Sequence, residues 1–298
     1  MFGMRRPSVA LGCLAAARAA LSTLVLPSSP LPYRGLLVDL ERGRFASPEF
    51  SAALGPSLEK WRSEGHQSVM LRLELADAAL AAAAAEHGFE FHHAEGQKCV
   101  LKCWLPPTED KVPPWATHQV GGGGFVLNDK GELLVIKEWR FDDNGVRQPS
   151  AQWKMPGGML NKGESFADGI CREVLEETGV QTRFVSLLTF WHRHGVSTNF
   201  AAAEGGKSDM YFCARLEPVT DEIRLQEDEI SACEWQDLRA FCRENDHPLI
   251  GAVARRLYGV GGDADEGAAP LRPVRELVET DEVRWPSRPA AYPTYFPF

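Results

Sequence analysis

The sequence predicts an α/β protein of two domains, a small amino-terminal unit followed by a larger one. Three observations carry that prediction. The chain has 298 residues, about two domains of ordinary size. Short strand patterns and amphipathic helix patterns alternate along most of it. The stretch Pro106–Pro114, with four prolines, interrupts them as a linker would. Hydrophobic residues make up 44% and charged residues 24%, which excludes a wholly disordered or fibrous chain. Thirty-two basic residues against 41 acidic ones give a net charge of −9. Such a surface is a poor match for nucleic acid backbone, so no nucleic acid partner is expected. Anionic small molecules stay within reach where divalent cations cancel the charge locally.

Residues 1–34 differ from the rest. No Asp or Glu precedes Asp39, while Arg5, Arg6, Arg18 and Arg34 are basic and Ser8, Ser22, Ser28 and Ser29 carry hydroxyls. This composition resembles an organelle transit segment, so mitochondrion or plastid is the expected location and cytoplasm the alternative. The apolar run Val9–Leu26 is broken by Arg18 and is marginal for a membrane span, and no other segment is a better candidate, so no membrane partner is expected. Residues 35–105 read as the small α/β domain. Leu36–Leu40 is a strand, and Phe50–Glu64 a helix stopped by Gly65. Ser68–Leu73 alternates, with Val69, Leu71 and Leu73 on one face. Ala76–His87 is an alanine-rich helix ended by Gly88. Phe89–His93 and Cys99–Leu105 form a hairpin around Glu95–Gln97. His92 and His93, as neighbours on a strand, are expected on opposite faces and so unable to share a metal. Seven cysteines, an odd number without zinc-ribbon spacing, point to free thiols in a reducing compartment; Cys99 and Cys103 share one strand face. Residues 106–115 are the linker.

Residues 116–260 form the larger domain. Gly121–Gly124 enters an apolar strand, Glu132–Lys137 is a second strand, and Asp142–Gln148 is a polar loop. Trp153-Lys154-Met155-Pro156-Gly157-Gly158 leads into an acidic helix over Ser165–Thr178, with Ser165 near the N-cap and Gly179 at the C-terminal glycine position. From Gly158 the spacing is five residues to Glu164, seven more to Arg172-Glu173-Val174, then Leu175, Glu176-Glu177, Thr178, Gly179 and Val180. At background frequencies of ~5–7% per residue type, an accidental match of this kind has odds of roughly one in ten million. On the helix, Glu173, Glu176 and Glu177 fall within about 100° of one another, beside an apolar face of Ala167, Ile170, Cys171 and Val174. Glu173 and Glu177 repel at i,i+4 by about 0.2–0.5 kcal/mol, partly offset by Arg172 and Glu176. A bare acidic cluster is commonly a solvated face. Behind a glycine loop at fixed spacing it suits Mg²⁺ or Mn²⁺, hard cations that bridge carboxylates to substrate phosphates. Gly157 and Gly158 let backbone approach ion and phosphate closely.

The pattern fills the Nudix box, and the chain resembles the Nudix hydrolases. The likeness runs from about Gly35 to Tyr258 through Trp61–Gly65, Gly88–Glu95, Ala116–Gly121, Trp153–Gly158 and Gly206–Tyr211. These segments are similar to the fibroblast-growth-factor-antisense type and to the plant ADP-ribose/NADH pyrophosphatases. The resemblance implies a Nudix α/β/α sandwich around a mixed sheet, preceded by a pre-Nudix α/β domain. It implies metal-dependent hydrolysis of a nucleoside diphosphate linked to another moiety, ADP-ribose first and NADH second. The metal ligands it implies are Glu173, Glu176, Glu177 and the Gly157 carbonyl. Glu173 is also a candidate base, Arg172 orients the carboxylates, and Glu164 has an outer role. The resemblance implies a further acid from Gln226–Ile230 that binds a metal or activates water, with Glu229 first, as a metal ligand and catalytic residue, and Glu227 second. Phe141, Trp139, Phe190 and Tyr211 are available for an adenine, and Lys207 or Arg193 for a phosphate. The alternative is a catalytically weak nucleotide-binding or protein-interaction module. The one-sided pattern of Leu54, Leu58 and Trp61 needs a partner surface and about 70 residues are marginal alone, so the small domain is expected to pack on the larger one or on a second subunit, as in a homodimer.

The remaining elements are strands at Gln181–His192 and Ser208–Glu217 and helices at Asp237–Asn245 and Leu249–Tyr258. The chain departs from the subfamily in its four-glycine run, in the longer Asp142–Ala151 loop and in the insertion-like Val196–Gly205. Residues 261–298, with six prolines, are expected as an extended tail.

Overall fold

The computed structural model describes residues 25–194, 207–261, 278–284 and 291–297. Two compact units meet in the chain between Trp115 and Ala116. The first contains β1 (Ser29–Leu31), β2 (Gly35–Asp39), α1 (Ser47–Ser63), β3 (Ser68–Glu74), α2 (Ala79–Ala85), β4 (Glu90–Glu95) and β5 (Lys98–Trp104). Its sheet has the order β1-β2-β3-β5-β4, with only β2 and β3 parallel. Helix α1 begins three residues before its predicted start, where the Glu49 carboxylate accepts from the Ala46 N–H at 3.3 Å. Phe50, Leu54, Leu58 and Trp61 form its buried stripe against Val69, Leu71, Leu73 and Leu101.

Residues 25–34 pack with this unit: Leu26 is 2% exposed in the core and its N–H donates to the buried Ser57 hydroxyl at 2.9 Å. Residues 1–24 of the transit-like segment lie outside the described residues. The alanine-rich helix is shorter, because a 3-10 turn over Leu75–Asp77 precedes it and the Asp77 carboxylate accepts from Gly43 N–H. His92 and His93 do not diverge. A register shift between Phe91 and His93 breaks the two-residue alternation, and their Nδ1 atoms meet at 2.8 Å. His93 then stacks on Trp115 at 3.9 Å, and His92 Nε2 lies 2.9 Å from the Pro113 carbonyl. With Asp110 paired to Lys102 and Thr108 accepting from Trp104, the linker segment is tied to the β4–β5 side of the sheet. The six described cysteines are free, and Cys99 and Cys103 both pack on the core.

The second unit contains β6 (His118–Val126), β7 (Glu132–Phe141), β8 (Arg147–Pro149), β9 (Gly157–Met159), α3 (Phe166–Thr178), β10 (Thr182–Arg193), β11 (Ser208–Pro218), β12 (Ile230–Asp237), α4 (Leu238–Glu244) and α5 (Pro248–Tyr258). The mixed sheet is β10-β11-β6-β9, with β11 and β6 parallel; a second, antiparallel sheet is β12-β7-β8. Adjacent residues go to opposite faces. Val126 and Leu134 pack with Ile170 and Val174 of α3. Phe125, Leu133 and Val135 pack with Phe241 of α4 and Ile250 and Val253 of α5. This is the α/β/α sandwich.

The four-glycine run explains how closely the layers approach. A Cβ on Gly122 would lie 2.5 Å from Ile170 Cγ1, and one on Gly124 would lie 2.7 Å from Val174 Cγ2. On the opposite face, a Cβ on Gly123 would lie 2.1 Å from the Tyr211 hydroxyl. Hydrogen is the side chain that fits at these positions. The tail also differs from expectation: β13 (Val278–Arg284) and β14 (Ala291–Pro297) pair as an antiparallel hairpin. Val278, Thr280, Val283, Tyr292, Thr294, Tyr295 and Phe296 are strand formers that the proline count obscures.

Gly124→Val is expected to destabilise the protein by about 1–3 kcal/mol through overpacking against α3. A lower urea midpoint is the measurement; an unchanged midpoint would show that α3 is free to retreat.

Candidate active site

Helix α3 is fixed at both ends. Ser165 caps it by accepting from Asp168 N–H at 3.1 Å, and Gly179 leaves it in the left-handed region at φ 73°. At the front, Asn161 N–H donates to Glu164 at 2.8 Å, and Arg172 donates to the same carboxylate from Nε at 2.7 Å and Nη2 at 2.9 Å. These bonds hold the Glu164 carboxyl down at about 2 and keep the Arg172 guanidinium charged. Arg172 Nη1 also reaches Glu173 at 2.9 Å and Glu176 at 3.0 Å, and Nη2 reaches the Met159 carbonyl at 3.2 Å. One guanidinium therefore ties three box acids and the β9 backbone together.

Glu177, the fourth box acid, and Glu173 lie against the glycine pair. Glu177 is 6% exposed and accepts from Gly157 N–H at 2.6 Å. The Glu173 carboxylate lies over Gly158, where a Cβ would meet it at 2.4 Å. Burial pushes Glu177 up to about 7; Lys154 and the Gly157 N–H oppose that, while Glu173 and Glu138 add to it. Burial also raises Glu173, against the pull of Arg172. Two acids made costly to ionise by burial and by each other match a divalent cation, and their hard oxygen donors suit Mg²⁺ or Mn²⁺. Among the described residues no three ligating side chains converge on one point.

Two members of this cluster were not singled out from the sequence. A backbone bridge pairs Lys154 with Ile136 and sets its ammonium against the Glu138 carboxylate, which Arg140 also contacts at 2.7 Å. Burial acts to raise Glu138, but Lys154 outweighs it and the carboxyl lies below the usual range. The signal was a charge inside the otherwise apolar β7 run and the lysine of Trp153–Gly158.

The outside acids lie beside this cluster. The segment after α3 donates from Arg224 N–H to the Thr178 carbonyl at 2.7 Å, then reaches β7, where Glu229 O accepts from Trp139 N–H at 2.9 Å. Glu227 O accepts from Trp139 Nε1 at 3.1 Å and from Arg147, whose guanidinium lies 4.5 Å above the Trp139 ring. Both glutamate side chains are exposed.

Of the expected substrate contacts, Tyr211 and Arg193 are brought together. Tyr211 has its hydroxyl at Gly123, the residue paired with Gly157. Arg193 lies 5.2 Å from the Tyr211 ring and 5.7 Å from the Trp191 ring, and its Nε donates to Asp209 at 2.9 Å. Asp209 is only 2% exposed and is a further residue the sequence did not flag. Lys207 is exposed six residues before Cys213, the partner of Gly123, which is about 20 Å along the strand. Phe141 is 72% exposed at the end of β7, and Phe190 packs with Phe212 on the α3 side. Neither is adjacent to Gly157. Val196–Gly205 lies outside the described residues.

Comparison with known proteins shows the family. A NUDIX domain profile matches residues 117–257, and a second profile, described as a Nudix hydrolase domain, matches residues 26–105. Nudix hydrolase 2 of Arabidopsis thaliana is 39% identical over 256 residues, 84% of this chain and 87% of its own. The chain belongs to the Nudix hydrolase family. Human nucleoside diphosphate-linked moiety X motif 6 is 36% identical over 233 residues, 76% of this chain and 70% of its own. The second profile begins at Leu26, the first buried residue of the small unit, so both units of this Nudix hydrolase are matched.

A carboxyl near 7 in the folded chain and near 4.5 unfolded takes up a proton on folding between those values. The Glu177 contribution is therefore fully present below about pH 4.5 and is lost as pH rises through 7, on the order of 3 kcal/mol in metal-free protein. Denaturant melts in chelator should show this decline, and Glu177→Gln should remove it. The same slope in the variant would mean that another group titrates.

Proposed function

We propose that the protein hydrolyses the pyrophosphate bond of a nucleoside diphosphate linked to another moiety, with ADP-ribose the first substrate and NADH the second. The observation that carries it is the pair of acids, half-buried Glu173 and buried Glu177, set on the Gly157–Gly158 backbone with Arg172 bracing Glu173. Glu173, Glu176, Glu177 and the Gly157 carbonyl would hold Mg²⁺ or Mn²⁺. When bound, such an ion polarises a phosphoryl oxygen and acidifies a coordinated water.

The chain's own groups do the rest. Glu173 or Glu229 takes a proton from water as its oxygen bonds to one phosphorus, and the bridging oxygen leaves with the other phosphate. From ADP-ribose the products are AMP and a ribose phosphate. Arg172 keeps Glu173 and Glu176 aligned through the cycle. Arg193, locked by Asp209 and flanked by two rings, has N–H groups left to meet an anionic part of the substrate beside Tyr211. Lys207 and Phe141 would act at the rim. Support for the adenine-ribose substrate comes from the subfamily likeness of the sequence, and for the nucleoside-diphosphate class from the family.

Turnover of ADP-ribose, NADH, coenzyme A, nucleoside triphosphates and capped RNA in Mg²⁺ tests the substrate. ADP-ribose is expected to have the highest kcat/KM; a triphosphate exceeding it tenfold would overturn the assignment. Glu176→Gln and Glu177→Gln are each expected to lower kcat by several decades while thermal stability stays level or rises. Near-normal turnover in both, at saturating Mg²⁺, would remove the carboxylates from the metal centre.

A further inference from the structure

A second cluster of ligating side chains lies on the α3 face of the mixed sheet, toward the His118 end of β6. Along β6, Gly122, Gly124 and Val126 face α3, so Val120 and His118 share that face by strand alternation. On β10, Phe190 packs with Phe212 on the α3 side, which puts His192 and His194 on the same face. Helix α3 starts at Phe166, which packs against Phe212, so the histidines lie beyond its first turn. The register completes the placement: His118 pairs with Ser208 and His192 with Met210, so the two histidines flank β11 from its opposite sides.

The imidazoles meet in the gap. His118 Nε2 and His192 Nε2 are 2.9 Å apart, with ring centroids 5.0 Å apart. The His194 ring is 4.2 Å from that of His192. The outer nitrogens are already engaged: His118 Nδ1 lies 2.8 Å from Thr117 Oγ1, and His194 Nδ1 lies 2.8 Å from Ser208 Oγ. Hydrogen bonds of this type to the remote nitrogen are what orient ligand histidines and leave the other nitrogen for an ion. All three histidines are exposed, so an ion reaches them without local unfolding.

We propose that His118 and His192 form a binding site for a borderline divalent transition ion, Ni²⁺, Cu²⁺ or Zn²⁺, with His194 as its adjacent third imidazole. Two nitrogens about 2.1 Å from one ion in adjacent positions at right angles are about 3.0 Å apart, close to the observed spacing. The rings now point at each other, and a small rotation of each turns both lone pairs to one point. No three ligands converge among the described residues, so the site is a two-imidazole one completed by water until His194 swings in. It is distinct from the carboxylate cluster in place and in chemistry. His118 is five residues, about 17 Å, from Gly123 along β6. Imidazole prefers these ions, whereas the box acids prefer Mg²⁺. The inference is independent of which nucleotide is the substrate.

Calorimetric titration of untagged full-length protein with NiCl₂ and with ZnCl₂, in excess Mg²⁺ to occupy the carboxylate cluster, is the test. One site is expected, weakened at least tenfold in His118→Gln and in His192→Gln and lost in the double variant. The exposed positions should leave the melting temperature of the ion-free variants unchanged. Substoichiometric Cu²⁺ should selectively broaden the His118 and His192 ring-proton resonances of the wild type, which needs no variant to fold. An absent site would overturn the proposal. So would binding that persists in the double variant, which would place the ion elsewhere, for example at His92 and His93.

Discussion

The close approach of α3 to β6 is the constraint on which the rest of the larger unit depends. Ile170 and Val174 occupy the space that side chains would take at Gly122 and Gly124, so the helix packs directly on the strand backbone there. Gly157 runs against the same strand, and a Cβ there would lie 2.2 Å from the Gly122 carbonyl. With all three backbones drawn together, acids on the third and fourth turns of α3 reach the β9 backbone directly. Side chains on β6 would move Glu173 and Glu177 away from the two groups that define their positions.

Charge balance is the second constraint. Glu164, Glu173, Glu176, Glu177 and Glu138 are concentrated in one region, and Arg172 and Lys154 divide them, with Arg140 also on Glu138. Arg172 takes the three acids at the front of α3, while Lys154 takes Glu138 and offsets Glu177 behind. Neither cation satisfies Glu177 directly; its hydrogen bond comes from a backbone N–H. The helix carries its like-charge pair because packing of Ile170 and Val174 outweighs a repulsion of a few tenths of a kcal/mol.

Strand alternation separates the chemistries of the second unit. On β11, Asp209, Tyr211 and Cys213 face the α4–α5 core, and Phe212 and Ala214 face α3. One face thus holds the Arg193–Asp209 pair beside Tyr211, and the other holds the histidines. A one-residue slip of β10 against β11 would exchange them, which ties register to function.

The sequence by itself determined much of this protein. The box spacing placed Glu173, Glu176, Glu177 and Arg172 on one helix, Ser165 and Gly179 marked its ends, and alternation in β3 and the stripe of α1 gave the first core. These features are local: each follows from a helix or strand period and from residues a few positions apart. What tertiary structure decided came from long-range pairing. The bulge that joins His92 to His93, the bridge that sets Lys154 on Glu138, the burial of Asp209 under Arg193 and the hairpin of the tail each depend on a partner distant in sequence or on a register shift. The sequence could name such residues but not the neighbour that gives each its role, because strand register is fixed by packing across the whole sheet rather than by the residues on either side.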